Sequence, residues 1–235
     1  MRLIILNKKA LYLILIILLL SIVVPVIVIN RIKTEDVFNE NLYYQGTKDE
    51  KIISFACNID WGNEYIDDML QIFKENNIKI TFFPTGRWAE NNIELLKTID
   101  IEGHEIGNHG YNHLDYDTLS YEKNYEEIEK AHVIIKDIIG KSPIYFAPPS
   151  GAYNDYTLEA ARDLNYKVIL WSIDTIDWRK DSVKEVIIKR VTDKIHNSAI
   201  ILMHPTNETV KALPEIIDFL FEKKYKIGTI SDVIY

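Results

Sequence analysis

Short apolar runs alternate with longer amphipathic segments from residue 51 to the end of the chain. The apolar runs lie at 52–57, 78–83, 144–146, 168–173, 200–203 and 227–230. Amphipathic spacing typical of helices fills the intervals between them. This alternation predicts parallel strands joined by helical crossovers. About six or seven such units are too few for a regular eight-stranded barrel. We therefore expect an α/β fold, a distorted (β/α) barrel with six to seven parallel strands, or alternatively an open doubly wound sheet.

The N-terminal region carries a long apolar run. Residues 10–29 contain no charged side chain, and a helix of that length spans about 30 Å, the thickness of the hydrocarbon core. Residues 1–32 are therefore predicted to form an N-terminal membrane anchor with one transmembrane helix at 10–29, and a cleaved signal peptide is the alternative. Arg2, Lys8 and Lys9 precede the run and favour a cytoplasmic N-terminus. We expect a single-pass protein of the cell membrane whose remaining chain is extracytoplasmic.

Residues 33–50 are polar and lack periodicity, which indicates a linker between the anchor and a domain at 51–235. The formal net charge of -8 argues against nucleic acid as a partner. Cys57 is the single cysteine, so no internal disulfide can form and the core must hold the domain together. Its apolar neighbours predict a buried side chain, not a nucleophile.

Polar residues follow several predicted strands at the point where each one ends. Ligands collect at the carboxyl ends of parallel strands, so we expect one common site there. His109 and His113 can face the same way if the backbone makes one helical turn, and neutral imidazole commonly binds divalent metals. The pair predicts a metal site, which needs at least one more ligand. Further polar residues at strand ends are Asn58, Asp60, Asp174, Asp177 and His204.

Several motifs in residues 51–235 resemble those of the polysaccharide deacetylase family, the NodB-homology or carbohydrate esterase 4 domain. The resemblance is strongest to its membrane-anchored members from spore-forming bacteria. The motifs are the His109-x-x-x-His113 pair and, in the family's order, the segments 146–151, 171–178 and 201–204.

The resemblance implies a distorted barrel and hydrolysis of non-peptide carbon–nitrogen bonds, with removal of N-acetyl groups from cell-wall glycan. The expected substrate units are N-acetylglucosamine or N-acetylmuramic acid of peptidoglycan. One divalent metal ion, for which zinc is our first choice, would be held by Asp60, His109 and His113. His204 would protonate the leaving amine while Asp174 orients its imidazole. The residues expected to bind the substrate are Pro149, Ser150, Gly151, Trp178 and Leu202.

The chain departs from the family where the chemistry is most demanding. The family's first motif, Thr-Phe-Asp-Asp-Gly, supplies a general base and a metal ligand. Aligned from the strand, Asn58 occupies the base position and Asp60 lies one residue late; aligned from the acid, Ile59 falls at the base. Neither alignment leaves two carboxylates, and Ala147 replaces the groove-wall arginine that holds the base. An arginine without its carboxylate would be an unpaired charge near a cation, so the loss of both residues together is chemically consistent.

Three interpretations of this departure remain open. Asp60 could serve as the base while another group completes the metal shell. The metal-hydroxide could act with help from Asp174, Asp177 or His204. The domain could instead be a catalytically weak or inactive glycan-binding module. Of the four tryptophans, Trp61 and Trp178 fall where a groove would lie and could stack on sugar rings.

Overall fold

The computed structural model describes residues 8–9, 12, 16–25 and 41–234. The chain divides into two units between Glu40 and Asn41. In the first unit, residues 16–25 are helical and their side chains are exposed. Among the described residues, no helix is both long enough and apolar enough to cross a bilayer. Much of the predicted anchor, and the predicted linker up to residue 40, lie outside the described residues.

The second unit contains nine described strands, and each strand pair is parallel. The strands are β1 (Leu42–Tyr43), β2 (Ile52–Ile59), β3 (Thr81–Pro84), β4 (Glu105–Ile106), β5 (Tyr145–Phe146), β6 (Lys167–Ile169), β7 (Ile173–Asp174), β8 (Ile200–Met203) and β9 (Lys226–Gly228).

Helices connect most of these strands, as the alternation predicts. They are α1 (Asn63–Glu75), α2 (Gly86–Asn91), α3 (Ile93–Ile101), α4 (Tyr121–Ile139), α5 (Asp155–Asp163), α6 (Lys184–Thr192), α7 (Asn207–Glu222) and α8 (Ile230–Ile234). Local sequence sets their ends. The Ser120 side chain accepts a hydrogen bond from the Lys123 N–H at the start of α4, and Gly140 ends that helix in the left-handed conformation.

One sheet has the order β4-β3-β2-β8-β7, with β9 also paired to β2, and a second has the order β1-β6-β5. Two isolated bridges, Asn108 to Phe146 and Gln45 to Ala199, connect the sheets. This arrangement agrees with the distorted barrel and not with a single open sheet.

The two faces of β2 pack into different layers. Ile53, Phe55 and Cys57 contact the surrounding helices, whereas Ala56 belongs to a second cluster inside the barrel. Because side chains alternate along a strand, Asn58 points inward like Ala56. Cys57 is fully buried, and burial raises the pKa of its thiol, as expected for a structural residue.

The strand boundaries differ from the sequence prediction in two places. The apolar run 168–173 forms two strands, β6 and β7, because the chain leaves one sheet and joins the other. The folded unit begins at Asn41, not at 51, because β1 pairs with β6. Leu42 and Tyr43 pack against separate apolar clusters, which attaches this part of the predicted linker to the domain.

Candidate functional site

A cavity of about 400 Å³ lies at the carboxyl ends of the strands, where the sequence predicts a common site. The side chains come from six strands, β2, β4, β5, β6, β7 and β8, and from the loops that follow them. The lining residues are Asn58, Asp60, Trp61, His109, His113, Ser150, Trp171, Asp174, Trp178, Leu202 and His204. Of the predicted substrate-binding residues, Pro149 and Gly151 do not line it. Pro149 is buried, and Gly151 packs against the Trp171 ring.

His109 and His113 lie in a loop, not in the helical turn that their spacing suggested. Their ring centroids are 5.1 Å apart in an edge-to-face arrangement. His113 adopts a left-handed backbone conformation with φ 56°. The buried carboxylate of Glu127 fixes this loop, because it accepts hydrogen bonds from the Asn112 N–H at 2.8 Å and side chain at 2.9 Å.

The surroundings of His109 favour a neutral imidazole, the form in which a ring nitrogen can bind a metal ion. Its Nδ1 donates to the Ala147 carbonyl at 2.6 Å, which leaves Nε2 available. Burial, reinforced by His113, lowers the pKa of His109 to about 3. A buried neutral imidazole with one nitrogen already hydrogen-bonded is the usual state of a metal-ligating histidine.

Asp60 does not join this imidazole pair, which corrects the predicted ligand set. Its carboxylate accepts a hydrogen bond from Thr85 Oγ1 at 2.7 Å and from Arg87 Nη2 at 2.9 and 3.1 Å. The strand register explains this contact, since Ile59 pairs with Pro84 and the two chains leave the sheet side by side. In the part of the chain that is described, no three His, Cys, Asp or Glu side chains are grouped as a metal site.

Asn58 supplies an oxygen on the same cavity wall. Its Oδ1 is buried and has no hydrogen-bond partner among the described residues. A buried carbonyl oxygen without a partner is costly unless something binds it. Oxygen and imidazole donors together suit several divalent ions. The donors that face the cavity thus fit a metal ion through His109, His113 and Asn58, without the predicted carboxylate.

His204 is oriented by Asp177 and not by Asp174, which corrects a second prediction. Asp177 Oδ1 accepts from His204 Nδ1 at 2.7 Å, and Oδ2 accepts from the His204 N–H at 2.6 Å. Thr209 Oγ1 donates to the same Oδ2 at 2.6 Å. The Asp174 carboxylate instead accepts the Ile176 N–H at 2.7 Å. His204 Nε2 is therefore the nitrogen left for chemistry in the cavity.

The sequence predicted most of the side chains that line the cavity, but not the residues with which they form hydrogen bonds. Thr85 and Arg87 carried no signal for a contact with Asp60. Asp177 did carry one, as the second acid of the 174–177 segment, but the turn at Ile176, with φ 54°, decides which acid reaches His204. Trp171 also lines the cavity, although the sequence placed only Trp61 and Trp178 of the four tryptophans at a groove.

Several known proteins are similar to this chain over most of its length. The family model described as polysaccharide deacetylase matches residues 45–169. The chain is 40% identical to the Bacillus subtilis protein YlxY over 81% of its own length and 60% of that protein's. It is 31% identical to a Bacillus cereus peptidoglycan-N-acetylglucosamine deacetylase, covering 79% of this chain and 89% of that enzyme. The crystal structure of BA3943, a CE4 family pseudoenzyme from Bacillus anthracis, is similar, with a TM-score of 0.79 and 38% identity. That match covers 82% of this chain and 68% of BA3943.

Proposed function

The chain belongs to the polysaccharide deacetylase family, and from that premise we propose that it removes N-acetyl groups from cell-wall peptidoglycan as a metal-dependent hydrolase. The observation that carries the proposal is that His204, held by Asp177, faces the same cavity as His109 and His113. Relatives named peptidoglycan deacetylases support the choice of N-acetylglucosamine or N-acetylmuramic acid units as substrate. The reaction would take place outside the cytoplasm, where that polymer lies.

The residues that would hold a divalent ion, with zinc as first choice, are His109, His113 and, as the oxygen donor, Asn58. When bound, the ion supplies positive charge that polarises the acetyl carbonyl. The backbone N–H of Ser150 is the candidate second donor to the carbonyl oxygen as negative charge develops there. Leu202 and Trp178 would enclose the acetyl methyl group.

Two side chains would move protons. Asp60 would take a proton from water as the oxygen attacks the amide carbon, with Arg87 and Thr85 holding the carboxylate in place. His204 Nε2 would deliver a proton to the amide nitrogen as the carbon–nitrogen bond breaks, which releases acetate and leaves a free amine. Asp177 keeps the other proton of His204 on Nδ1 and stabilises the imidazolium form.

A second candidate is a glycan-binding module with little or no turnover. Two observations favour it: the donor set for the metal is electrically neutral, and Asp60 is already bound by Arg87. The similarity to BA3943, a protein described as a pseudoenzyme, adds support. Both candidates use the same cavity for the same N-acetylated sugar, so they differ only in whether the amide bond is hydrolysed.

Acetate release from chitooligosaccharides and peptidoglycan by the purified chain, after chelation and metal add-back, separates the two. Acetate release that depends on metal and is abolished by His109→Ala would support the hydrolase. His113 is exposed, and His113→Gln should abolish the release as well. Binding of glycan and metal with no acetate from any substrate would eliminate hydrolysis and leave the binding module.

A further inference from the structure

Trp61 has an unusual environment for so large an apolar side chain. It lines the cavity, yet 45% of its surface is exposed. Its ring lies parallel to the His204 imidazole, with an interplanar angle of 5° and 6.0 Å between centroids. Trp61 therefore lies beside the group assigned to proton transfer and presents much of its indole to solvent. The proton-transfer steps described above make no use of this exposed surface.

The backbone next to Trp61 is fixed. Gly62 has φ 84°, and a Cβ atom built on it would lie 2.1 Å from the Pro205 carbonyl oxygen. Pro205 follows His204 directly, and their strands β2 and β8 pair with Cys57 opposite Met203. The close contact between Gly62 and Pro205 holds the Trp61 and His204 segments together. Because this backbone is already fixed, little backbone freedom is lost at Trp61 when a ligand binds.

A second exposed indole lies on the cavity lining. Trp178, in the loop between β7 and α6, is 55% exposed. Exposed indoles beside a cavity provide flat apolar surface, and the C–H face of a pyranose ring is the part of a sugar that such a surface can cover. A glycan that inserts one N-acetyl group into the cavity would extend its neighbouring sugar units past the rim.

We propose that Trp61 forms a sugar-binding subsite for a glycan unit adjacent to the one whose N-acetyl group enters the cavity. The proposal rests on the proposed function, because it assumes that an N-acetylated sugar occupies the cavity. It makes the preferred ligand an oligomer and not a single sugar. It also assigns Trp61 to recognition of the polymer, whether or not the domain turns its substrate over.

The test compares the affinities of N-acetylglucosamine and tetra-N-acetylchitotetraose by titration calorimetry for the wild-type chain and three variants. Trp61→Ala should weaken tetramer binding roughly tenfold, the value of one aromatic contact, and should change binding of the single sugar much less. Trp61→Phe keeps a flat apolar ring and should recover part of the loss. Tyr156→Ala removes an aromatic residue that is 53% exposed and does not line the cavity, so tetramer affinity should not change.

Equal losses for the single sugar and the tetramer in Trp61→Ala would overturn the subsite. Wild-type tetramer affinity retained in Trp61→Ala would refute the subsite alone and leave the proposed function standing. A wild-type chain that binds neither ligand would refute the proposed function and the subsite together. Trp61→Phe keeps the test decisive if Trp61→Ala does not fold.

Discussion

Arg87 donates from Nη2 to both carboxylate oxygens of Asp60, at 3.1 and 2.9 Å, across two neighbouring strand ends. In the family that the chain resembles, an arginine on the groove wall holds the base carboxylate, and here that position is Ala147. Arg87 approaches from the start of α2 instead. The pair thus recreates a carboxylate–guanidinium contact beside the cavity with different residues.

Asp60→Asn should lower acetate release by ~10²–10⁴-fold, the usual cost of losing a general base. Arg87→Ala should lower it as well, because the carboxylate loses its partner. Neither change should alter glycan affinity. Lys141→Ala is a matched control, since it removes another partly exposed ion pair, to Asp100, away from the cavity. Turnover by Asp60→Asn at the wild-type rate would exclude Asp60 as the base.

Asp177→Asn should reduce acetate release much more than Asp174→Asn. An amide at 177 presents one oxygen where the carboxylate now accepts from His204 Nδ1, the His204 N–H and Thr209. At least one buried donor then loses its partner, at about 1–3 kcal/mol, and the imidazole tautomer is no longer fixed. Nitrogen NMR of His204 should show the tautomer change in Asp177→Asn only. A larger effect from Asp174→Asn would contradict the structural assignment.

The alternation of apolar and amphipathic segments was sufficient to predict parallel strands joined by helices, because β2 is a mainly apolar segment buried on both faces. It left the distorted barrel and the open doubly wound sheet as alternatives. The two-residue strands β1 and β4 are absent from the predicted apolar runs, since they owe their conformation to pairing partners distant in sequence. The cavity residues were predictable because strand ends converge, whichever way the side chains turn. Their partners were not, since the Asp60–Arg87 contact depends on the β2–β3 register.

Gly62→Ala should destabilise the domain more than Gly140→Ala. Both glycines have positive φ, 84° and 71°, so both substitutions carry a backbone cost of about 1 kcal/mol. Only at Gly62 does an added Cβ meet backbone, the Pro205 carbonyl oxygen, whereas nothing lies within 4 Å at Gly140. Urea unfolding should therefore show a clearly larger loss for Gly62→Ala. Equal losses would mean that the contact with Pro205 relaxes freely.

His104 should make the domain less stable in mild acid. Its imidazole is buried against Phe73 and Phe82, and Nδ1 accepts the Ile80 N–H at 3.2 Å. Burial, with a smaller contribution from Lys79, lowers its pKa from 6.5 to about 4. The unfolded chain therefore binds a proton in this window that the folded chain does not. The associated stability is fully present above pH 6.5 and is lost as the pH falls towards 4, by about 3 kcal/mol at most.

The variant His104→Asn isolates this effect from the other groups that titrate in the same range. Its side-chain oxygen can still accept the Ile80 N–H, but it does not ionise. Urea unfolding at pH 7 and pH 4.5 should show a fall in the free energy of unfolding that is larger for the wild type than for the variant. The difference between the two falls measures the contribution of His104. Falls of the same size would show that His104 ionises equally in the folded and unfolded states.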